Sequence, residues 1–322
     1  MESYVDYLGN RGVKYREFIS FSTKICGLLG LSPNEIENIL EALKQKPRIP
    51  VLWFHGLECT CCSESLMRSS SPLFSDIASL ISLEYDDLIS ASWGENLLNH
   101  KNKIIKEHKD NYILAVEGSI TEFEEGACCM VGGRPFNEEL LEAAKHAKFI
   151  VAWGSCASFG CVQAAYPNPT KSNSIDKIIK DKPIAKIPGC PPIPEVMAGL
   201  IVYVLLKEEL PPLDSKLRPK MFYGMTVHDT CYRKSFYNVG KFAEHFDDEG
   251  AKLGYCLYKL GCKGPSTYNA CSSLGWYNGL SFPVKAGHGC IGCSQEGFWD
   301  KDMYKEEAPI TSNAQSFDIF NF

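Results

Sequence analysis

The sequence predicts an α/β fold, in which a parallel β-sheet is followed by a largely irregular region. From residue 48 to about residue 210, short runs rich in β-branched and aromatic residues alternate with stretches of helical period. Such alternation is typical of right-handed βαβ units and hence of a parallel sheet. After Pro211 and Pro212 the periodicity fades, and residues 227–299 are rich in Gly, Cys, Tyr and Lys. That segment lacks the pattern of a conventional core, so bound metal would have to supply its cohesion.

Individual elements follow from this alternation. The predicted strands are Ile49–His55, Leu80–Tyr85, Tyr112–Glu117 and Phe149–Trp153, with a further short run at Ile184–Ile187. The predicted helices are Glu64–Leu80, Glu95–His108, Glu138–Lys145 and Pro194–Lys207. We therefore expect four segments: a leader or docking segment at 1–46, the sheet domain at 47–212, the irregular domain at 213–304 and a polar tail at 305–322.

Composition and charge exclude several classes of protein. The 322 residues include 33 basic and 39 acidic side chains, so the formal net charge is 33 − 39 = −6. A mildly acidic chain without a basic run is poorly suited to nucleic acid, because contacts to phosphates supply most of that affinity. The longest uncharged apolar run, Val196–Leu206, is shorter than the ~18 residues of a membrane span and predicts a buried helix.

The first 46 residues have the composition of an export leader. An apolar run, Phe18–Leu31, contains Lys24, follows the basic Lys14–Arg16 and precedes a polar helical stretch at 33–46. A twin-arginine pair is incomplete, since Tyr15 occupies one of its two places. The alternative is a docking helix that remains on the protein. In the tail we expect no anchoring helix.

The cysteines are numerous and clustered. A chain this long does not need disulfide staples, and 15 cysteines, an odd number, cannot all pair within the chain. Adjacent Cys61 and Cys62, and the Cys-Ile-Gly-Cys segment at 290–293, favour thiolate ligands of metal centres over disulfides. Cys26, Cys128 and Cys129 have no partners at useful spacing, and we interpret them as structural or incidental.

The first group of cysteines follows the predicted strand ends. Three of them follow the first strand, two the fourth and one the short run at 184–187: Cys59, Cys61, Cys62, Cys156, Cys161 and Cys190. Because ligands gather at the carboxyl ends of parallel strands, these six sulfurs should meet at one sheet edge. Four thiolates satisfy a cubane iron–sulfur cluster or a zinc ion, and two more could replace an inorganic sulfide. For Cys61 and Cys161 the alternative is buried packing.

Two further groups lie in the last third of the chain. The second comprises His228, Cys231, Cys256 and Cys262, a set that suits tetrahedral zinc or a histidine-ligated cluster equally well. The third comprises Cys271, Cys290 and Cys293. Three sulfurs suffice for a three-iron cluster, whereas zinc would need a fourth ligand such as His288. Pro283, between them in sequence, cannot coordinate a metal.

Together these motifs resemble the small, electron-transferring subunit of nickel–iron hydrogenases, over nearly all of residues 48–300. The matching segments are Trp53–Ser65, Trp153–Cys156, Pro188–Pro192, His228–Cys231, Gly261–Pro265 and Gly287–Cys293. The resemblance implies a flavodoxin-like first domain with a proximal cluster held by Cys59, Cys62, Cys156 and Cys190. It further implies a distal 4Fe-4S cluster held by His228, Cys231, Cys256 and Cys262, and a medial 3Fe-4S cluster held by Cys271, Cys290 and Cys293.

Two cysteines beyond the usual four refine the resemblance. Most of the family carries glycine at the positions of Cys61 and Cys161, and members with cysteine at both resemble the oxygen-tolerant, membrane-bound uptake group. The proximal cluster of that group is 4Fe-3S in place of 4Fe-4S. Glu117, which ends its predicted strand at the same edge, matches a carboxylate that can reach iron on strong oxidation; the alternative is a solvated strand-end residue. Glu58 is a candidate for proton movement near the subunit interface.

The resemblance also implies partners and a location. Hydrogen would be oxidised in a nickel–iron large subunit, a separate chain that carries that site. Electrons would pass to a membrane acceptor, a cytochrome b, at the periplasmic face of the cytoplasmic membrane. We expect a heterodimer or a dimer of heterodimers. The alternatives are a zinc-stapled structural module, a hydrogen-sensor subunit, and a respiratory quinone-reductase subunit, which lacks the seven ligand candidates of the second domain.

Overall fold

A computed structural model describes residues 48–69 and 73–306, together with a few positions between residues 6 and 32. Most of the predicted leader and of the predicted polar tail therefore lies outside the described residues. The strands are β1 Ile49–His55, β2 Ile81–Asp86, β3 Ile113–Glu117, β4 Ile120–Thr121, β5 Met130–Val131, β6 Arg134–Pro135, β7 Phe149–Trp153, β8 Ser172–Asn173 and β9 Ile184–Ile187. The longer helices are α1 Cys61–Met67, α2 Phe74–Leu80, α3 Gly94–Glu107, α4 Phe136–Ala144, α5 Gly154–Phe159 and α6 Pro194–Lys207.

Five strands form one parallel sheet in the order β2-β1-β3-β7-β9. Numbered along the chain, this is the 2-1-3-4-5 order of flavodoxin-like folds, in which ligands bind beyond the carboxyl ends of the strands. The register places His55 opposite Glu117, and Glu117 opposite Trp153, so β1, β3 and β7 end level with one another. The predicted fold class is confirmed.

Most predicted elements agree with the structure to within one or two residues, but one helix was predicted wrongly. The predicted helix at Glu64–Leu80 is two helices, α1 and α2. Between them the sequence has three serines followed by Pro72, which lacks the backbone N–H that a helix interior needs. The apolar periodicity of the flanking segments concealed this break.

The two faces of the sheet pack against different parts of the chain. One face packs against α3 and α4, with Leu52, Leu114 and Ile150 among the fully buried residues. On the other face, Trp53 and Trp153 stack with ring centres 5.7 Å apart, beneath the almost wholly buried helix α6. The apolar cluster of this second face continues into the irregular region and includes Phe222, Val227, Leu257, Phe282 and Val284. Cys26 is also buried in this cluster.

The region after residue 213 is irregular, as predicted. Its α-helices are only four or five residues long: α7 Lys220–Tyr223, α8 Lys234–Asn238, α9 Glu249–Lys252 and α10 Cys271–Leu274. Among the described residues, no helix has both the length and the apolar character required to cross a bilayer. The predicted boundary between residues 212 and 213 stays a prediction.

Candidate metal centres

A small cavity lies at the edge where the strands of the sheet end. Five of the six cysteines of the first group line it, together with Glu117: Cys59, Cys61, Cys62, Cys156 and Cys190. The sixth, Cys161, forms side-chain hydrogen bonds with Cys156 and Cys190. The fold thus brings together all six sulfurs of the first group.

Tight local backbone geometry positions these sulfurs. Thr60 adopts a left-handed conformation, with φ of 66°, so that Cys61 and Cys62 become the first residues of α1. Gly154, with φ of 78°, begins α5, and a Cβ atom there would lie 2.4 Å from Cys62 Sγ. Only glycine allows this approach. Gly154 belongs to the Trp153–Cys156 segment of the resemblance, but its role was not predicted from the sequence.

Glu117 is anchored in the protein interior. Its side chain is 1% exposed, so the alternative of a solvated strand-end residue is wrong. One carboxylate oxygen accepts a hydrogen bond from Cys62 N at 2.9 Å, and the other accepts from Ser63 N at 3.0 Å and from Ser63 Oγ at 2.6 Å. Burial raises the pKa of Glu117. The carboxylate therefore fixes the first turn of α1, which carries two of the six cysteines.

Beside Glu117 lies a buried histidine that sequence reasoning missed. His55 is 6% exposed, and its ring nitrogens lie 3.4 Å from Asp86 Oδ1, 3.6 Å from Glu58 Oε1 and 3.9 Å from Glu117 Oε2. Burial alone would lower the pKa of His55, but the carboxylates of Asp86 and Glu58 raise it to about 10. An imidazolium at this position offsets part of the negative charge at the sheet edge. Its position at the end of β1, where ligand-binding residues of a parallel sheet gather, could have identified it from the sequence.

The ionisation of the cysteines indicates what this cavity can hold. Burial raises the pKa of Cys59 to about 12 and that of Cys62 well above its usual range. Cys161 shares its single S–H between the sulfurs of Cys156 and Cys190, so its own pKa is raised, and the pKa of Cys190 falls to about 7. Several thiolates cannot share this space unless positive charge compensates them. A cluster of iron ions supplies such charge, so the residues present fit an iron–sulfur centre.

The second group assembles around a loop at residue 264. A Cβ atom on Gly264 would lie 3.4 Å from Cys262 Sγ and 3.7 Å from His228 N. Burial, together with Cys262 and Cys231, raises the pKa of Cys256 to about 11. The pKa of His228 is lowered by burial and by Lys234, which favours the neutral imidazole that ligates metal.

In the third group, Cys271 is buried and Cys290 and Cys293 are partly buried. Burial and neighbouring thiols raise the pKa values of Cys271, Cys290 and Cys293 to about 12 each, and the thiol charges of the three act on one another. His288, the fourth ligand that zinc would require, directs Nδ1 at the carbonyl oxygen of Gly289, 2.8 Å away.

Contacts connect the three groups in series. Cys293 of the third group interacts electrostatically with Cys190 of the first. Cys290 of the third group donates its backbone N–H to Cys262 Sγ of the second at 3.2 Å. The third group thus lies between the other two.

The remaining cysteines stand apart from these groups. Cys26 is buried in the apolar core, Cys128 is exposed and Cys129 is partly buried. All 15 thiols are free, so the structure contains no disulfide in place of a metal centre. A separate set of side chains with metal-ligating atoms, His55, Asp86 and Asp87, lies within 4.8 Å of one another and also escaped sequence reasoning.

Comparison with known proteins extends over both parts of the chain. Residues 223–305 match the family of C-terminal regions of NiFe/NiFeSe hydrogenase small subunits, and residues 59–204 match the family described as NADH ubiquinone oxidoreductase, 20 Kd subunit. The uptake hydrogenase small subunit of Azotobacter vinelandii is 53% identical over 95% of this chain and 86% of its own length. That of Afipia carboxidovorans is 55% identical over 94% of this chain and 83% of its own.

This chain belongs to the small subunits of nickel–iron uptake hydrogenases. The fold agrees: a reduced, active nickel–iron–selenium hydrogenase from Desulfomicrobium baculatum superposes with a TM-score of 0.77, at 34% identity over 81% of this chain and 100% of that one. As an uptake hydrogenase small subunit, the protein acts as a hydrogenase together with a large subunit, and its cysteines hold iron–sulfur clusters. The oxidoreductase match covers the sheet region, and the hydrogenase match covers the irregular region.

Proposed function

We propose that this chain carries electrons, released by hydrogen oxidation in the large subunit, through a proximal, a medial and a distal iron–sulfur cluster. The observation that carries the proposal is the serial arrangement of the three donor groups, with Cys293 near Cys190 and Cys290 against Cys262. When bound, such clusters supply one-electron carriers with potentials set by their ligands and surroundings.

The ligand sets follow the three groups. The proximal cluster is held by Cys59, Cys61, Cys62, Cys156, Cys161 and Cys190. The medial 3Fe-4S cluster is held by Cys271, Cys290 and Cys293, and the distal 4Fe-4S cluster by His228, Cys231, Cys256 and Cys262. A zinc-stapled module is disfavoured, because a zinc ion needs four ligands and the first group offers six sulfurs.

Metal analysis of the purified heterodimer tests these assignments. The three clusters of this small subunit require about 11 iron atoms, in addition to the large subunit's own iron. Low-temperature EPR is expected to show a three-iron signal in the oxidised protein and a four-iron signal on reduction. Zinc in place of iron, with no broad visible absorption, would contradict the proposal.

The six sulfurs of the first group support oxygen tolerance. With six cysteines the proximal cluster is of the 4Fe-3S type, which can release two electrons in succession and so help to reduce oxygen at the active site. Glu117 is within the reach of this cavity, since it lines it together with Cys62. We propose that its carboxylate approaches iron in the most oxidised state.

A double substitution tests the role of the two additional sulfurs. We expect Cys61→Gly combined with Cys161→Gly to leave hydrogen oxidation intact without oxygen and to abolish it in air. With only four cysteine ligands the proximal cluster would be a 4Fe-4S cluster, which cannot release a second electron. The rate of hydrogen uptake under defined oxygen pressures measures this. Cys128→Ser, at an exposed thiol outside the three groups, is the matched control. Equal activity of the double variant and the wild type in air would refute the role.

Partners beyond the large subunit follow from the two ends of the series. Cys59 and Cys190 are exposed in the isolated chain, which favours the proximal edge as the face covered by the large subunit. At the other end, Tyr232 beside Cys231 is 52% exposed, as suits an exit for electrons. We propose a cytochrome b acceptor at the periplasmic face of the cytoplasmic membrane. Copurification of the heterodimer with b-type haem from solubilised membranes tests this, and complete recovery of a haem-free heterodimer from the soluble fraction would contradict it.

A further inference from the structure

Arg233 is a buried cation next to the second donor group. Its side chain is only 6% exposed, and among the described residues no carboxylate forms an ion pair with it. Nε donates to Tyr232 Oη at 2.7 Å and Nη1 donates to Tyr255 O at 2.8 Å. The guanidinium carbon also lies 5.4 Å from the ring centre of Tyr232. The hydrogen-bond partners of the guanidinium are thus both neutral.

A buried guanidinium without an anion is costly, because an ion removed from water needs a compensating charge. Arg233 lies beside two cysteines of the second donor group. It follows Cys231 by two residues, and the carbonyl oxygen that accepts from its Nη1 belongs to Tyr255, the residue before Cys256. The backbone N–H of Arg233 also donates a hydrogen bond to the sulfur of Cys231. Arg233 is therefore a buried cation next to the donor group, on the side of Cys231 and Cys256.

We propose that Arg233 is a positioning residue for electron exit, whose fixed positive charge raises the reduction potential of the distal cluster. This inference rests on the proposed function, which assigns that cluster to His228, Cys231, Cys256 and Cys262. Reduction adds one electron and no proton to the cluster, so its charge becomes one unit more negative. A buried cation stabilises the reduced form more than the oxidised form, and water screens it little at this depth.

The surroundings of Arg233 keep its charge in place. The hydroxyl of Tyr232, which accepts from Arg233, itself donates to the carbonyl oxygen of Val284 at 3.3 Å. Val284 is buried in the apolar core and follows Pro283 in the segment between the third-group cysteines. This chain of hydrogen bonds ties the guanidinium to the medial side of the series, so that its charge cannot turn away as the cluster is reduced.

Potentiometric titration of the heterodimer, followed by EPR of the distal signal, tests the assignment. We expect Arg233→Gln to shift the balance of reduced to oxidised cluster at a fixed potential at least tenfold toward the oxidised form. For one electron this is a fall of about 59 mV in midpoint potential. Arg233→Lys keeps the charge and should stay within about threefold of the wild type. Lys241→Gln is the matched control, because Lys241 stacks 5.5 Å from the ring centre of Tyr255 but is exposed.

Each outcome of this titration decides the matter. An intact distal signal at the wild-type potential in Arg233→Gln overturns the assignment. If Arg233→Gln loses the cluster, retention of the cluster in Arg233→Lys supports a requirement for charge, and its loss there too overturns the assignment in favour of packing. A wild-type complex without a four-iron distal signal overturns the proposed function first, and this assignment with it.

Discussion

Glu117 performs a structural task that a strand-end carboxylate rarely has. Its two oxygens accept three hydrogen bonds from Cys62 and Ser63, so that the backbone of a cysteine is fixed by a residue 55 positions away. Charge-assisted bonds of this kind are about twice as strong as neutral ones. The first turn of α1 is consequently held in place by the protein itself, independently of any iron that its cysteines bind.

We expect Glu117→Gln to weaken this grip, because an amide supplies one acceptor where the carboxylate supplies two. The loss should be about 1–3 kcal/mol, the cost of leaving buried groups unsatisfied. Faster hydrogen exchange at the amides of residues 61–67 and a lower Tm would reveal it. Glu107→Gln, at an exposed carboxylate 3.9 Å from Lys103, should change neither. Unaltered exchange at residues 61–67 in Glu117→Gln would contradict the anchoring role.

At single residues, the sequence was most informative about cysteines and least informative about their supports. Cys61 and Cys62 were predicted to join other sulfurs because the ends of parallel strands meet, and the close spacing of Cys290 and Cys293 predicted a metal centre without a strand. His55 and Asp86 were missed, since their proximity depends on the register of neighbouring strands. Arg233 was missed as well, because its burial depends on tertiary packing that the residue type does not reveal.

Among the elements, the edge strand β9 is secured in an unusual way. Lys186 lies in this strand with its side chain 8% exposed, and Nζ forms an ion pair of 2.9 Å with Asp176 Oδ1. The ammonium also lies 5.3 Å from the ring centre of Phe159, at the end of the helix that carries Cys156. A charged lysine in an edge strand also disfavours pairing with a foreign strand.

A double-mutant cycle tests the contribution of the Lys186–Asp176 ion pair to stability. We expect Asp176→Asn to cost about 2 kcal/mol, less than the ~3–5 of a fully buried pair, because the Asp176 side chain is 30% exposed. Adding Lys186→Met should recover part of the loss, since no unpaired ammonium then remains buried. Apparent Tm values of the heterodimer at neutral pH measure the coupling. Additive losses in the double variant would show that the pair does not act as a unit.

Element boundaries were predictable where one physical signal dominated. The run that became α6 was predicted with its observed bounds, because a helix buried on nearly all sides reads as a continuous apolar stretch ending at Lys207. The division between α1 and α2 was missed, because apolar residues on both sides of Pro72 fit a single helical period. Local breakers outweigh periodicity when they stand in an otherwise helical stretch.

Over the whole molecule, the sheet and the irregular region depend on bound metal to different degrees. The sheet is closed by backbone pairing and by packing on both faces, whereas residues 227–299 have only short helices to support them. Seven of the proposed ligands fall in that irregular region. Binding energy at sites absent from the unfolded chain counts as folding energy, so iron should matter most there.

Removal of iron therefore has a regional effect. After oxidation of the clusters and chelation of the iron, we expect amides of residues 227–299 to exchange much faster, while those of β1, β3 and β7 remain protected. Hydrogen exchange of the heterodimer before and after treatment, read by mass spectrometry, measures the difference. Reconstitution with iron and sulfide should restore protection, and zinc alone should not. A uniform rise in exchange across the sheet and the irregular region would contradict this division.

The shared apolar layer that joins one face of the sheet to Phe222, Val227, Phe282 and Val284 has a practical consequence for protein engineering. To graft the six cysteines of the first group onto a foreign flavodoxin scaffold, one would also have to transfer the second half of the chain, because it covers this apolar face. Without it, the apolar side chains that pack against these four residues would be exposed to water, and the protein would tend to precipitate before any iron could be loaded.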